Sequence, residues 1–227
     1  MQIAFPDAPA VLPQPAFATH WRDTSARQVD ALVHVAGGVA ALAAVPVVLS
    51  AAGSAPGGVS LPVAAYAFAV AVLFPASALF QHGPAAWRAV TIKIDHAAIC
   101  LKVAATYGML AEVSDVELGA VIPALWLLAA TGAALRASGP ARMRAGSLSI
   151  HAIVGFGGLW AIWPALAALS PAAQSLAACA AATCAAGIAF HLADRLRFNQ
   201  AAWHALVLAT SALASAAVML ELGCAVA

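Results

Sequence analysis

Several residues with chemically active side chains interrupt the long apolar stretches of this chain. Asp30 and His34 are four residues apart, so they lie on one face of a helix. Carboxylates, imidazoles and hydroxyls can bind a metal ion, transfer protons or act as nucleophiles. The set that we single out comprises Asp30, His34, Ser77, Gln81, His82, Asp95, Lys102, Gln200 and His204.

The composition predicts that these residues belong to a membrane protein. Of the 227 residues, 64% are hydrophobic and 8% are charged, and the mean hydropathy is +0.93. So few charges cannot cover a water-soluble globule of this size. Alanine is abundant and aromatic residues are few, which favours an all-α bundle over a β-barrel. The net charge of +1, without a run of like charges, predicts no binding to nucleic acid.

The apolar stretches predict a polytopic bundle of seven transmembrane helices. Cutting the sequence at charges and at Gly/Pro clusters leaves windows of about 20 residues, the length of a bilayer crossing. Residues 1–27 precede them as a cytoplasmic N-terminal arm. Ser170 and Pro171 separate two windows so briefly that a single bent helix is the alternative there. The windows are about 29–51, 61–81, 90–112, 118–136, 147–169, 171–191 and 201–224.

Basic residues predict the orientation of these spans, because short loops rich in Lys and Arg stay in the cytoplasm. They occur in alternate connections only, which predicts a cytoplasmic N-terminus, an external C-terminus and a multi-pass protein of the cell membrane. The intramembrane polar residues then fall in the cytoplasmic half, with little beyond Glu221 in the outer half. Polar groups at membrane depth are costly, so they indicate a functional site. Apart from Lys102, the basic residues are Arg22, Arg27, Arg88, Lys93, Arg136, Arg142, Arg144, Arg195 and Arg197.

Some of these residues also have purely structural interpretations. Asp30 and His34 could lock the first span through hydrogen bonds within it or to a neighbouring helix. His82, at the end of a span, could extend towards the lipid headgroups. Gly37 and Gly38, and the glycines of GFGG (155–158), permit close packing between helices.

Four segments carry a resemblance to a known family. The signature regions of the hemolysin III family resemble ASALFQH (76–82), KIDHAAICLKVAATY (93–107) and DRLRFNQAAWHALVLATSAL (194–213) of this chain. The first-span pattern of that family is similar to DALVHVAGG (30–38). This family is the bacterial branch of the progestin and adipoQ receptor group. The resemblance covers the chain from residue 27 onward and implies the fold of that family.

The resemblance implies a zinc site in the cytoplasmic half of the bundle. In the family, Ser-x3-His on the second span, Asp on the third and His-x3-His on the seventh form this site, where the histidines bind zinc and the Asp holds its water. Ser77, Asp95 and His204 match the pattern, which makes Ser77 and Asp95 the catalytic candidates. Gln81 and Gln200 replace two histidines, and amides bind zinc less well than imidazole.

Two expectations for the site follow from these replacements. A metal ion could be bound by His82, His204 and Asp95, although His82 is turned by about 100° from Gln81 around the helix. Alternatively, the site has no metal, and Lys102, seven residues after Asp95 and on the same face, supplies positive charge to that carboxylate. Lys102 could instead pair with another group.

The function expected from these features is a lipid-interacting or membrane-homeostasis role, with membrane lipids as partners and a metal-free polar site. The family group also resembles alkaline ceramidases, which implies an alternative, a zinc-dependent membrane hydrolase of amide-linked lipids. A pore-forming cytolysin follows only from the name of the family. A proton-coupled carrier that uses Asp30, His34, Asp95 and Lys102 is a further alternative.

Overall fold

A computed structural model describes residues 24–54, 58–138, 150, 153–193 and 195–224, and within these residues every regular element is a helix. The predicted all-α fold is confirmed. The first helix begins at Thr24, so the last residues of the predicted arm are helical, and the rest of the arm lies outside the described residues. The longer helices are α1 (Thr24–Ser54), α2 (Leu61–His82), α3 (Arg88–Val113), α4 (Val121–Ser138), α7 (Pro171–Leu192) and α8 (Asn199–Cys224). Two short helices, α5 (Gly158–Ala161) and α6 (Trp163–Ala168), lie between α4 and α7 in the chain.

Four of these helices are long and apolar enough to cross a membrane, namely α1, α2, α7 and α8. A shorter apolar helix covers Val121–Ala137, within α4. The helix α3 has 26 residues but carries several charged side chains. The chain is therefore membrane-embedded, and each of its longer helices lies close to a window predicted from the sequence.

The first helix turns an apolar face outward and a polar face into the bundle. Its large apolar side chains point outward, with Leu32 69% and Leu42 78% exposed. Its opposite face buries Asp30, His34 and Gly37 against other helices. A polar face turned inward and an apolar face turned outward are expected when the surrounding solvent is lipid, because only the interior can satisfy polar groups.

The fifth predicted window is not one continuous helix. A π-helical turn spans Ile153–Gly157, and it is followed by the short helices α5 and α6. Gly158 packs against α3 so closely that an added Cβ atom would lie 2.4 Å from Tyr107 Cε2. The Tyr107 hydroxyl donates a hydrogen bond to the carbonyl oxygen of Gly155 in the same turn. The predicted packing role of this glycine segment is confirmed at Gly158.

The chain between α6 and α7 is a true break between two helices, so a single bent helix at this point is excluded. Leu169 and Ser170 both adopt extended backbone conformations, with ψ of 158° and 151°. The Ser170 hydroxyl accepts a hydrogen bond from the backbone N–H of Ala173 and so caps α7. Glu221 Oε1 accepts hydrogen bonds from Ser170 N at 3.0 Å and Ser170 Oγ at 2.6 Å, which joins the start of α7 to the end of α8.

The packing of the long helices brings four of them together at one end of the bundle. Helix α2 packs against both α1 and α3, and α8 packs against α1, α3 and α7. The N-terminal ends of α1, α3 and α8 lie at the same end of the bundle as the C-terminal end of α2. Polar residues near these termini therefore face one another. The buried polar residues that sequence analysis singled out belong to these four helices.

Candidate functional site

Asp30 is the centre of a buried polar cluster that joins three helices. Its side chain is 0% exposed. Its Oδ1 atom lies 2.5 Å from His204 Nδ1 on α8, and its Oδ2 atom lies 3.0 Å from His82 Nε2 on α2. An ionised carboxylate only accepts hydrogen bonds, so both imidazoles donate to it. We call Asp30, His34, His82 and His204 the Asp30 cluster.

His34 lies one helical turn after Asp30 and completes this cluster. Its Nδ1 atom is 2.8 Å from the carbonyl oxygen of Asp30, so Nδ1 carries a proton and donates. In a neutral imidazole this leaves Nε2 as an acceptor, and that atom is buried without a hydrogen-bond partner in the described part of the chain. The rings of His34 and His204 are in edge contact, with their centroids 4.4 Å apart.

His82 ends α2 and turns into the cluster rather than towards the headgroups. Its side chain remains 23% exposed, so it connects Asp30 with the surroundings of the bundle. The helix α2 is regular up to His82, so no π-bulge brings His82 to the position of Gln81. Gln81 is itself buried. The structural alternative, in which hydrogen bonds lock the first span, is also seen at Asp30, both within α1 to His34 and to His82 and His204 on other helices.

Ser77 lies one turn before Gln81 and faces His204 from α2. The Ser77 Oγ atom is 3.5 Å from His204 Nε2, the nitrogen that does not contact Asp30. The Ser77 hydroxyl also lies against the carboxylate of Asp95 on α3. Asp95 Oδ2 is 3.7 Å from His96 Nδ1, and Asp95 Oδ1 is buried without a hydrogen-bond partner among the described residues. The sequence-predicted residues Ser77, Asp95 and His204 therefore come together.

Gln200 lies one turn before His204 on α8, as the sequence pattern predicts. Its side chain is buried, and its Nε2 atom has no hydrogen-bond partner within the described residues. A buried amide N–H without a partner is unfavourable by about 1–3 kcal/mol, so it is a position at which a ligand acceptor could bind.

Lys102 is buried within α3, and no ion pair joins it to the Asp30 cluster in the described residues. The titratable side chain that acts on its charge is Cys184 of α7. Asp95 instead interacts with Ser77, His204 and Arg136. No ion pair joins Lys102 to Asp95 within the described residues.

One group of side chains in the described part of the chain has the geometry to hold a metal ion. Donor atoms of Asp30, His34 and His204 lie within 4.8 Å of one another. Of the predicted ligands His82, His204 and Asp95, only His204 belongs to this group. Two imidazoles and a carboxylate are a donor set that zinc accepts in other proteins.

Most of the ligand atoms in this group already take part in hydrogen bonds. Both Asp30 oxygens already accept N–H groups, and His34 Nδ1 is occupied by a backbone carbonyl. Only His34 Nε2 remains as an unpartnered ligand atom in the group. The positions at which the resemblance places zinc ligands do not fit that ion, because Gln81 and Gln200 offer amides there.

No family model, no curated protein and no solved structure matches this chain. The resemblance to the hemolysin III family therefore depends on the sequence segments quoted above. The structure adds the positions of the described side chains in those segments.

The central role of Asp30 is the main feature that sequence analysis did not identify. Sequence analysis placed Asp30 in the polar site but gave the catalytic and metal roles to residues of the family pattern. Its partner His204 is 174 residues away, so only the packing of α1 against α8 reveals the contact. The Asp30-x3-His34 spacing was the available signal.

Proposed function

We propose that this chain is a hemolysin III-like integral membrane protein that binds membrane lipid at the Asp30 cluster without a metal ion. In this proposal the chain crosses the cell membrane seven times, with its N-terminus in the cytoplasm and its C-terminus outside. The proposal for seven spans is supported by four long apolar helices, the shorter apolar helix of α4, and α3, which packs between α2 and α4. The remaining span consists of the helical pieces between residues 150 and 168.

The observation that carries the proposal is the opening of the Asp30 cluster to the end of the bundle. A cleft of about 230 Å³ is lined by Thr24, Arg27, Gln28, Ala31 and His82. His82 belongs to both the cleft and the cluster, so a headgroup in this cleft contacts the Asp30 network directly.

The chemistry of the cleft favours an anionic headgroup. Arg27 is exposed in the cleft, and its guanidinium can bind a phosphate through two parallel hydrogen bonds. In the proposed orientation Arg27 lies on the cytoplasmic side, where anionic lipids attract basic residues next to a membrane span. Next to the cleft, α1 exposes the apolar side chains Leu32 and Val35, which can contact the acyl chains of the bound lipid.

Lipid binding can be measured on the purified chain by native mass spectrometry. We expect phosphatidylglycerol to be retained in preference to phosphatidylcholine, and we expect Arg27→Gln to reduce this retention about tenfold, as one lost charged contact of about 1.4 kcal/mol predicts. Arg195→Gln is the matched control, because Arg195 is also exposed but lies outside the cleft. Equal retention of the two lipids, or equal effects of the two variants, would contradict the proposal.

A second candidate function is hydrolysis of amide-linked lipids with zinc. The observation in its favour is the group formed by Asp30, His34 and His204, which are the residues that would hold the ion. A bound zinc ion would supply a Lewis acid at the edge of the lipid. This candidate requires His204 and His82 to release their hydrogen bonds to Asp30.

A further inference from the structure

We propose that Ser77, His204 and Asp30 form a metal-free Ser-His-Asp triad that transfers the acyl group of a membrane lipid to Ser77. This activity goes beyond lipid binding, because it adds a covalent step. The substrate class is a lipid with an ester-linked or amide-linked acyl chain, since an activated serine attacks the carbonyl carbon of such a group.

The two nitrogens of His204 have different partners, as a triad requires. Nδ1 donates to Asp30 Oδ1 at 2.5 Å, which fixes the tautomer with the lone pair on Nε2. Nε2 faces the Ser77 hydroxyl at 3.5 Å. This second contact is longer than a normal hydrogen bond, which is common between nucleophile and base in the absence of substrate. A triad is defined by these roles and not by the order of residues in the chain.

The surroundings of Asp30 hold its carboxylate in place for this role. Asp30 is 0% exposed, and its second oxygen accepts a hydrogen bond from His82 at 3.0 Å. Ser77 and His204 are 6% and 5% exposed, so all three side chains are buried in the bundle. Buried electrostatic interactions of this kind are stronger than exposed ones, and the carboxylate can stabilise the imidazolium that forms during the reaction.

The reaction proceeds in two balanced steps. Ser77 Oγ attacks the acyl carbon and passes its proton to His204 Nε2, which then protonates the leaving alcohol or amine as its bond to the acyl carbon breaks. Water, activated by the same imidazole, then hydrolyses the acyl-serine and releases the fatty acid. Gln200 Nε2, one turn before His204, is buried without a hydrogen-bond partner among the described residues, and in this proposal it donates to the oxyanion.

Asp95 is the competing partner of the Ser77 hydroxyl. A hydroxyl has one proton, which it can donate either to Asp95 or to His204. Donation to Asp95 would leave the Ser77 hydroxyl without its hydrogen bond to His204. The experiment must therefore show that the reactivity of Ser77 depends on His204.

A fluorophosphonate reagent tests the triad, because it reacts with activated serines and needs no knowledge of the lipid. The full chain is incubated with the reagent in detergent and in excess chelator, and the adduct is located by peptide mass spectrometry. We expect one adduct, at Ser77, that is absent in Ser77→Ala and forms at least about 100-fold more slowly in His204→Gln. Ser211→Ala is the matched control, because Ser211 is a buried serine whose hydroxyl only donates to Val207 O.

Folding is monitored separately by size-exclusion chromatography, so that the result does not depend on a variant that fails to fold. If His204→Gln is unfolded, Asp95→Asn decides instead, because labelling of Ser77 that persists in this variant excludes Asp95 as the base and supports the triad, whereas labelling that is lost overturns it. No adduct on the folded wild-type chain, an adduct at another serine, or labelling that requires added zinc would overturn it. A wild-type chain that retains phosphatidylglycerol but is not labelled would overturn the triad and leave the lipid-binding proposal intact.

Discussion

Replacement of Asp30 by alanine is expected to lower the free energy of unfolding by about 3–5 kcal/mol, the range found when one partner of a buried charged network is removed. The carboxylate accepts hydrogen bonds from α2 and from α8, so its loss leaves the His82 and His204 N–H groups without a partner. It also removes the polar contact that links α1 to both helices.

This effect can be measured by chemical unfolding in detergent micelles, with helical circular dichroism as the signal. Glu117→Ala is the control, because Glu117 is an exposed carboxylate outside the helices, and it should change stability by less than about 0.5 kcal/mol. If Asp30→Ala were as stable as this control, the Asp30 cluster would not hold the three helices together.

Replacement of Gly37 by alanine is the second change with a large expected effect. An added Cβ atom at this position would lie 2.3 Å from Phe74 Cδ1, which is far inside van der Waals contact. Phe74 is a buried ring on α2 and packs edge-on against His34, so it has little room to move. We expect a loss of about 1–3 kcal/mol in the free energy of unfolding, as for other overpacked cores.

The neighbouring glycine provides a matched control for this prediction. An added Cβ atom at Gly38 meets nothing within 4 Å, so Gly38→Ala should be neutral or should stabilise α1 by about 0.5–1 kcal/mol. The same unfolding measurement compares both variants. A Gly37→Ala chain that is as stable as Gly38→Ala would show that α1 and α2 are not as close as the structure places them.

Hydropathy predicted the positions of the helices well because apolar length is a local property of the sequence. The windows 61–81 and 171–191 differ by one residue from the helices Leu61–His82 and Pro171–Leu192. The fifth window was wrong as a continuous helix. Its helix is interrupted at Ile162, ahead of Pro164 at the start of α6, and Gly158 packs against Tyr107, a contact that only the folded chain reveals.

The site was predicted only in part, because its centre depends on contacts between distant residues. The sequence pattern brought Ser77, Asp95 and His204 into one layer, and the structure places them together. The sequence pattern did not reveal that Asp30 accepts hydrogen bonds from both His204 and His82, because no spacing rule relates residues of α1 to residues of α8. It also associated Lys102 with Asp95 on one helical face, but no ion pair joins these two side chains in the described residues.

The most direct test of the account is the metal content of the purified chain, measured by elemental mass spectrometry after exposure to zinc and removal of the excess. A site whose imidazoles donate to Asp30 should hold far less than one zinc ion per chain. The Gln81→His/Gln200→His double variant is the positive control, because it supplies the histidines that the family pattern requires. One zinc ion per natural chain, lost in His34→Ala, would contradict the metal-free site and would favour the group of Asp30, His34 and His204 as a metal centre.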